Sequence, residues 1–164
     1  MKTKNITSLL FLLIFLPAFT AFSQKTDFSG NWKINKEKTV IPSDQLYLSK
    51  ITIQLRNDSL LTTRVYENGY GEEYPFEENL TLDNKECKIV IFEMPRTSAA
   101  TYSDTDGTIK IASTTTFNGN SGPEDMVAKE SWKFDKEGQT LSLEFVNAMS
   151  GNEVTGIYYY TKAN

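Results

Sequence analysis

The most constraining feature of this sequence is a series of short runs in which apolar and polar residues alternate. In residues 47–55, for example, Ile51, Ile53 and Leu55 are separated by polar residues. Successive side chains of a β-strand point to opposite faces, so this alternation predicts half-buried strands rather than amphipathic helices. Gly, Asn and Asp residues that favour turns separate the runs. We predict about ten strands and, within residues 35–45, at most one turn of helix.

Short connections between consecutive strands predict an antiparallel meander, and closure of a long meander removes its exposed edge strands. We therefore expect an all-β fold, an antiparallel up-and-down β-barrel of about 8–10 strands, with a β-sandwich as the alternative. Residues 118–124 are polar and rich in glycine, which predicts a longer loop. The three consecutive tyrosines at residues 158–160 are expected at an edge or rim of the sheet.

The N-terminal segment has the organisation of a secretory signal peptide. Lys2 and Lys4 precede an apolar run at residues 9–16, and small residues at Ala21 and Ser23 suit a signal peptidase. The run is shorter than the roughly 20 residues that a permanent membrane span needs. We expect cleavage after Ser23, a signal peptide of residues 1–23, and a single domain of residues 24–164 that is secreted or periplasmic without a membrane anchor.

Composition excludes several classes of function. The net charge is −4 and becomes −6 without the two N-terminal lysines, which disfavours nucleic acid and anionic membrane surfaces as partners. The chain has no histidine and only one cysteine, Cys87, so we expect no metal site, no cofactor and no internal disulfide. No serine or cysteine lies in a recognisable catalytic motif, and we expect no catalytic residues and no enzymatic activity.

Two acidic residues occupy positions that share a face with apolar residues. Glu130 alternates with Ala128 and Trp132, and Glu78 alternates with Phe76. A buried carboxylate without a partner is unfavourable, so these side chains should face a wet cavity or a cation. Arg64 is a candidate cation, although either face of its strand can point inward.

The segment Phe28–Thr39, FSGNWKINKEKT, contains a Gly-x-Trp motif at Gly30 and Trp32. Together with residues 130–134, ESWKF, this segment resembles the small secreted lipocalin-like, or calycin-type, barrels of bacteria such as the Bacteroidetes. The resemblance implies that Trp32 closes the barrel floor and that Gly30 lets the chain pass close beneath the ring. It also implies a ligand inside the barrel.

We therefore expect an exported lipocalin-like protein that binds a small, partly hydrophobic molecule. The alternative is an envelope module for protein–protein interaction or inhibition, with a solid barrel. Aromatic residues and a few polar groups on the inner faces predict the cavity lining. The candidate lining residues are Arg64, Tyr66, Phe76, Glu78, Ile111, Glu130, Trp132, Phe145 and Tyr158.

Overall fold

A computed structural model describes residues 25–43, 46–119, 122–137 and 139–163. The expected signal peptide lies outside the described residues. Ten strands account for most of the described residues. The same part of the chain contains no helix that is long and apolar enough to cross a membrane. The strands are β1 (Gly30–Ile34), β2 (Leu46–Arg56), β3 (Ser59–Asn68), β4 (Glu73–Thr81), β5 (Cys87–Ile91), β6 (Met94–Ser103), β7 (Thr108–Gly119), β8 (Gly122–Asp135), β9 (Thr140–Met149) and β10 (Asn152–Lys162).

All ten strands belong to one antiparallel sheet in the order β4-β3-β2-β1-β10-β9-β8-β7-β6-β5. The pairing of β1 with β10 joins the first and last strands, and the sheet curls into a nearly closed barrel. This architecture confirms the predicted up-and-down barrel, is consistent with a lipocalin-like barrel, and is not a sandwich. The remaining seam lies between β4 and the β5–β6 hairpin, where Asp83 forms an isolated bridge with Thr101.

One end of the barrel is closed by aromatic side chains. Trp32 is buried, donates a hydrogen bond from Nε1 to the Phe28 carbonyl oxygen at 2.9 Å, and meets Phe134 edge to face. Gly30 has a φ of +146°, and a Cβ there would lie 2.7 Å from Cε of Lys162. The Lys162 ammonium lies 5.7 Å from the centre of the Trp32 ring. Gly30 thus makes room for the lysine that covers the floor tryptophan.

Two local expectations were wrong. Residues 118–124 do not form a long loop, because β7 and β8 stay paired as far as Gly119 and Gly122. Only residues 120 and 121, which lie outside the described residues, separate the two strands. Tyr158 and Tyr160 do not lie at an edge, because β10 pairs with β1 on one side and β9 on the other. Residues 35–43, which were expected to hold at most one turn of helix, contain turns and a bridge from Val40 to β10.

Candidate ligand-binding site

The end of the barrel opposite Trp32 opens into a cavity of about 720 Å³. Drug-sized ligands occupy pockets of about 300–1,000 Å³. The mouth is bordered by residues 41–43 after β1, by the ends of β3 and β4, and by the β5–β6 hairpin. The lining is mostly apolar and includes Leu48, Met94, Phe117, Met126 and Leu143.

Aromatic rings form two parts of the cavity wall. Tyr66 stacks on Phe76 with ring centres 6.1 Å apart, and this pair joins neighbouring strands β3 and β4. Phe145 stacks on Tyr158 at 5.2 Å across β9 and β10. Gly156, directly opposite Phe145, leaves space for this ring, because a Cβ there would lie 2.7 Å from it. The two pairs give the cavity rigid apolar surfaces that suit rings or extended chains.

Four charged side chains meet below the apolar walls. Arg64 donates a hydrogen bond from Nη1 to Glu130 Oε1 at 2.7 Å, and its Nη2 lies 3.5 Å from Glu78 Oε2. Arg96 donates from Nε to Glu78 Oε1 at 3.0 Å. We call Arg64, Glu78, Arg96 and Glu130 the charge cluster. Its two positive and two negative charges balance inside the barrel.

Neutral polar groups complete the contacts of the charge cluster. The Trp132 indole donates to Glu130 Oε2 at 2.8 Å. Ser98 donates its hydroxyl to Glu78 Oε1 at 2.5 Å, and Arg96 Nη1 donates to the Thr115 hydroxyl at 3.1 Å. Since Glu78 lies on β4 and its partners Arg96 and Ser98 on β6, these contacts also fasten the barrel seam, where the backbones of β4 and β5 do not pair.

Arg64 and Glu78 stay ionised despite their burial. Burial disfavours the Arg64 charge, but Glu130 and Glu78 hold the pKa of the guanidinium above its ordinary value. Burial would also raise the pKa of Glu78, yet the charges of Arg64 and Arg96 and the hydrogen bonds from Ser98 and Arg96 lower it below 4.5, its ordinary value. Glu78 is therefore a carboxylate at neutral pH.

The cluster is incompletely hydrogen-bonded. Among the described residues, three buried side-chain atoms have no hydrogen-bond partner: Arg64 Nε, Arg64 Nη2 and Glu78 Oε2. The Arg64 guanidinium instead packs over aromatic faces, 5.1 Å from the Trp132 ring and 5.8 Å from the Phe76 ring. Such cation–π contacts offset part of the loss of hydration.

The predicted lining residues fall into two layers. Tyr66, Phe76, Glu130, Phe145 and Tyr158 line the cavity itself. The other four, Arg64, Glu78, Ile111 and Trp132, are buried and lie outside the cavity lining. Arg64 points inward and provides the cation that the two inward glutamates required.

Sequence reasoning missed Arg96, which both lines the cavity and holds Glu78. Pro95, directly before it in the sequence, interrupts the alternating pattern that indicates a strand. Extending the alternation backward from Ala100 and Ser98 would have placed Arg96 on the inner face. Thr115, opposite Arg96 in the register of β6 and β7, was missed with it.

No protein-family model and no curated protein matches this chain. The described residues also contain no group of three or more Cys, Asp or Glu side chains placed to hold a metal ion. The cavity and its charge cluster are the features of the described residues from which we infer a function.

Proposed function

We propose that this protein binds a small, partly hydrophobic molecule inside the barrel. The observation that carries this proposal is the cavity of about 720 Å³, with aromatic walls and two charged residues, Arg96 and Glu130, in its lining. Protein interiors are normally packed to a density that leaves few voids larger than a water molecule. A mostly apolar cavity of this size that opens to solvent is typical of a site for a small molecule.

The open end of the barrel supplies the route of entry. Leu46, Tyr74 and Phe92 are exposed and border the cavity, so an apolar molecule meets apolar contacts from the mouth inward.

We also propose that the domain works outside the cytoplasm after removal of residues 1–23. N-terminal sequencing of the exported protein should begin at Gln24, and a start at Met1 would contradict this.

The binding proposal is tested by titration with N-phenyl-1-naphthylamine, an uncharged fluorophore that brightens in apolar sites. Met126→Trp places a large ring in the cavity, whereas Val127→Trp puts the same ring on the outer face of the same strand. We expect saturable one-to-one binding that Met126→Trp weakens at least about tenfold, about 1.4 kcal/mol. Val127→Trp should bind as the unmodified protein does. Equal binding by both variants would place the probe elsewhere and contradict the proposal.

A second candidate function is docking of a protein partner at the mouth. The rim exposes apolar side chains that include Val40, Tyr70 and Val154, and Tyr70 is 95% exposed. Exposed apolar patches mark interaction sites. Tyr70→Ser should abolish capture of an envelope protein while leaving fluorophore binding intact, if this candidate is correct.

A further inference from the structure

We propose that the cavity selects a ligand whose buried head group is uncharged and both donates and accepts hydrogen bonds, as a primary amide does. The head group lies against Arg96 and Glu130, and an apolar body extends along the aromatic walls. This inference rests on the proposed ligand binding and specifies the chemical class of the ligand.

Arg96 supplies a donor at the cavity floor. Its Nε is used by Glu78 and its Nη1 by Thr115, whereas Nη2 makes no hydrogen bond within the described part of the chain. Arg96 lines the cavity, so a ligand oxygen can accept from this nitrogen. Thr115 also lines the cavity and, having accepted from Arg96, retains its own hydroxyl proton.

Glu130 supplies the matching acceptor. Each of its carboxylate oxygens receives one hydrogen bond, Oε1 from Arg64 and Oε2 from Trp132. A carboxylate oxygen has two lone-pair sites, so Glu130 retains acceptor capacity for a ligand N–H or O–H. Its side chain is 9% exposed and reaches the cavity lining.

The balance of the charge cluster argues against a charged ligand. Arg64 and Arg96 are already compensated by Glu78 and Glu130, so an added ion would lose its hydration without gaining an unpaired counter-charge. A carboxylate that pairs with Arg96 lies in the same cavity as the Glu130 carboxylate, and an ammonium that pairs with Glu130 lies in the same cavity as the Arg96 guanidinium. An uncharged head group avoids both repulsions.

Displacement of N-phenyl-1-naphthylamine at pH 7.5 tests the inference with three ligands that share one tail: dodecanamide, dodecanoate and dodecylammonium. We expect the amide to bind at least about tenfold more tightly than either ion, which corresponds to about 1.4 kcal/mol. Equal affinities, or preference for either ion, would overturn the inference while leaving cavity binding intact. If none of the three displaces the fluorophore and the fluorophore itself does not bind, the proposed function and this inference both fail.

Glu130→Gln then tests the charge argument, because it leaves the cluster with one excess positive charge. The dodecanoate-to-amide affinity ratio should rise about tenfold. Glu144→Gln, an exposed position on β9, is the matched control and should leave the ratio unchanged. An unchanged ratio in folded Glu130→Gln would refute the role of charge balance in selection. If that variant does not fold, the relative affinities of the three ligands for the unmodified protein decide the inference.

Discussion

Replacement of Arg64 by methionine removes the central cation of the charge cluster while keeping an unbranched side chain. Glu130 loses its 2.7 Å hydrogen bond, and Glu78 loses one of two positive neighbours. Removing one partner of a buried ion pair typically costs about 3–5 kcal/mol, because the remaining charge stays buried. Glu78 retains its hydrogen bonds from Arg96 and Ser98, and Glu130 retains the one from Trp132. We therefore expect the free energy of unfolding to fall by about 3 kcal/mol at pH 7, the lower end of that range.

The destabilisation should depend on pH in a defined direction. The lowered pKa of Glu78 means that its pairing stabilises the fold above pH 4.5, and this contribution is lost as pH falls through the folded-state pKa. In the Arg64→Met variant, Glu78 loses one of the two positive neighbours that lower its pKa, so protonation relieves its buried charge at a higher pH. The difference in unfolding free energy between the two proteins should therefore shrink below pH 4.5.

Urea denaturation followed by circular dichroism, at pH 7 and again at pH 4, measures both effects. Arg56→Met is the matched control, because Arg56 is an exposed arginine at the end of β2 and should change stability by less than about 0.5 kcal/mol. A loss below about 1 kcal/mol for Arg64→Met, or a loss that is the same at both pH values, would refute the reasoning.

Three further results are expected. Trp32→Phe should cost about 1–3 kcal/mol in urea denaturation, since the buried Phe28 carbonyl loses its donor; no loss would mean that this hydrogen bond contributes nothing. Burial raises the pKa of the phenols of Tyr66, Tyr158 and Tyr160, so the free energy of unfolding should fall as pH rises above 10. Absorbance titration should show these phenols ionising only when the protein unfolds. Gly156→Ala should push the Phe145 ring into the cavity and weaken fluorophore binding, whereas Gly69→Ala, which meets no neighbour, should not.

The barrel could be predicted because its strands are local patterns. Alternation and turn residues determine each hairpin, and hairpins in series determine the sheet order. The burial of residues where β1 pairs with β10 could not be predicted in this way, because this pairing joins residues more than a hundred positions apart. The tyrosines of β10 were therefore expected at a rim, although Tyr160 is fully buried.

The candidate site was predictable only in part. Glu78 and Glu130 stood out because charge in an apolar register is costly. The strand of Arg64 carries apolar residues on both faces, and its inner face is recognised only from the contacts of Arg64 with Glu78 on the neighbouring strand β4 and with Glu130 on the distant strand β8. Arg96 follows Pro95 near the edge of the sheet, where local pattern is weakest.

Methyl NMR during titration with N-phenyl-1-naphthylamine tests most directly whether the ligand lies inside the barrel. Met94 and Met126 line the cavity, whereas Val90 and Val127 are exposed outside it. An aromatic ring bound inside should shift the two methionine methyl signals in proportion to occupancy and leave both valines unmoved. Shifts at the valines alone, or no shift at saturating fluorophore, would contradict an internal binding site.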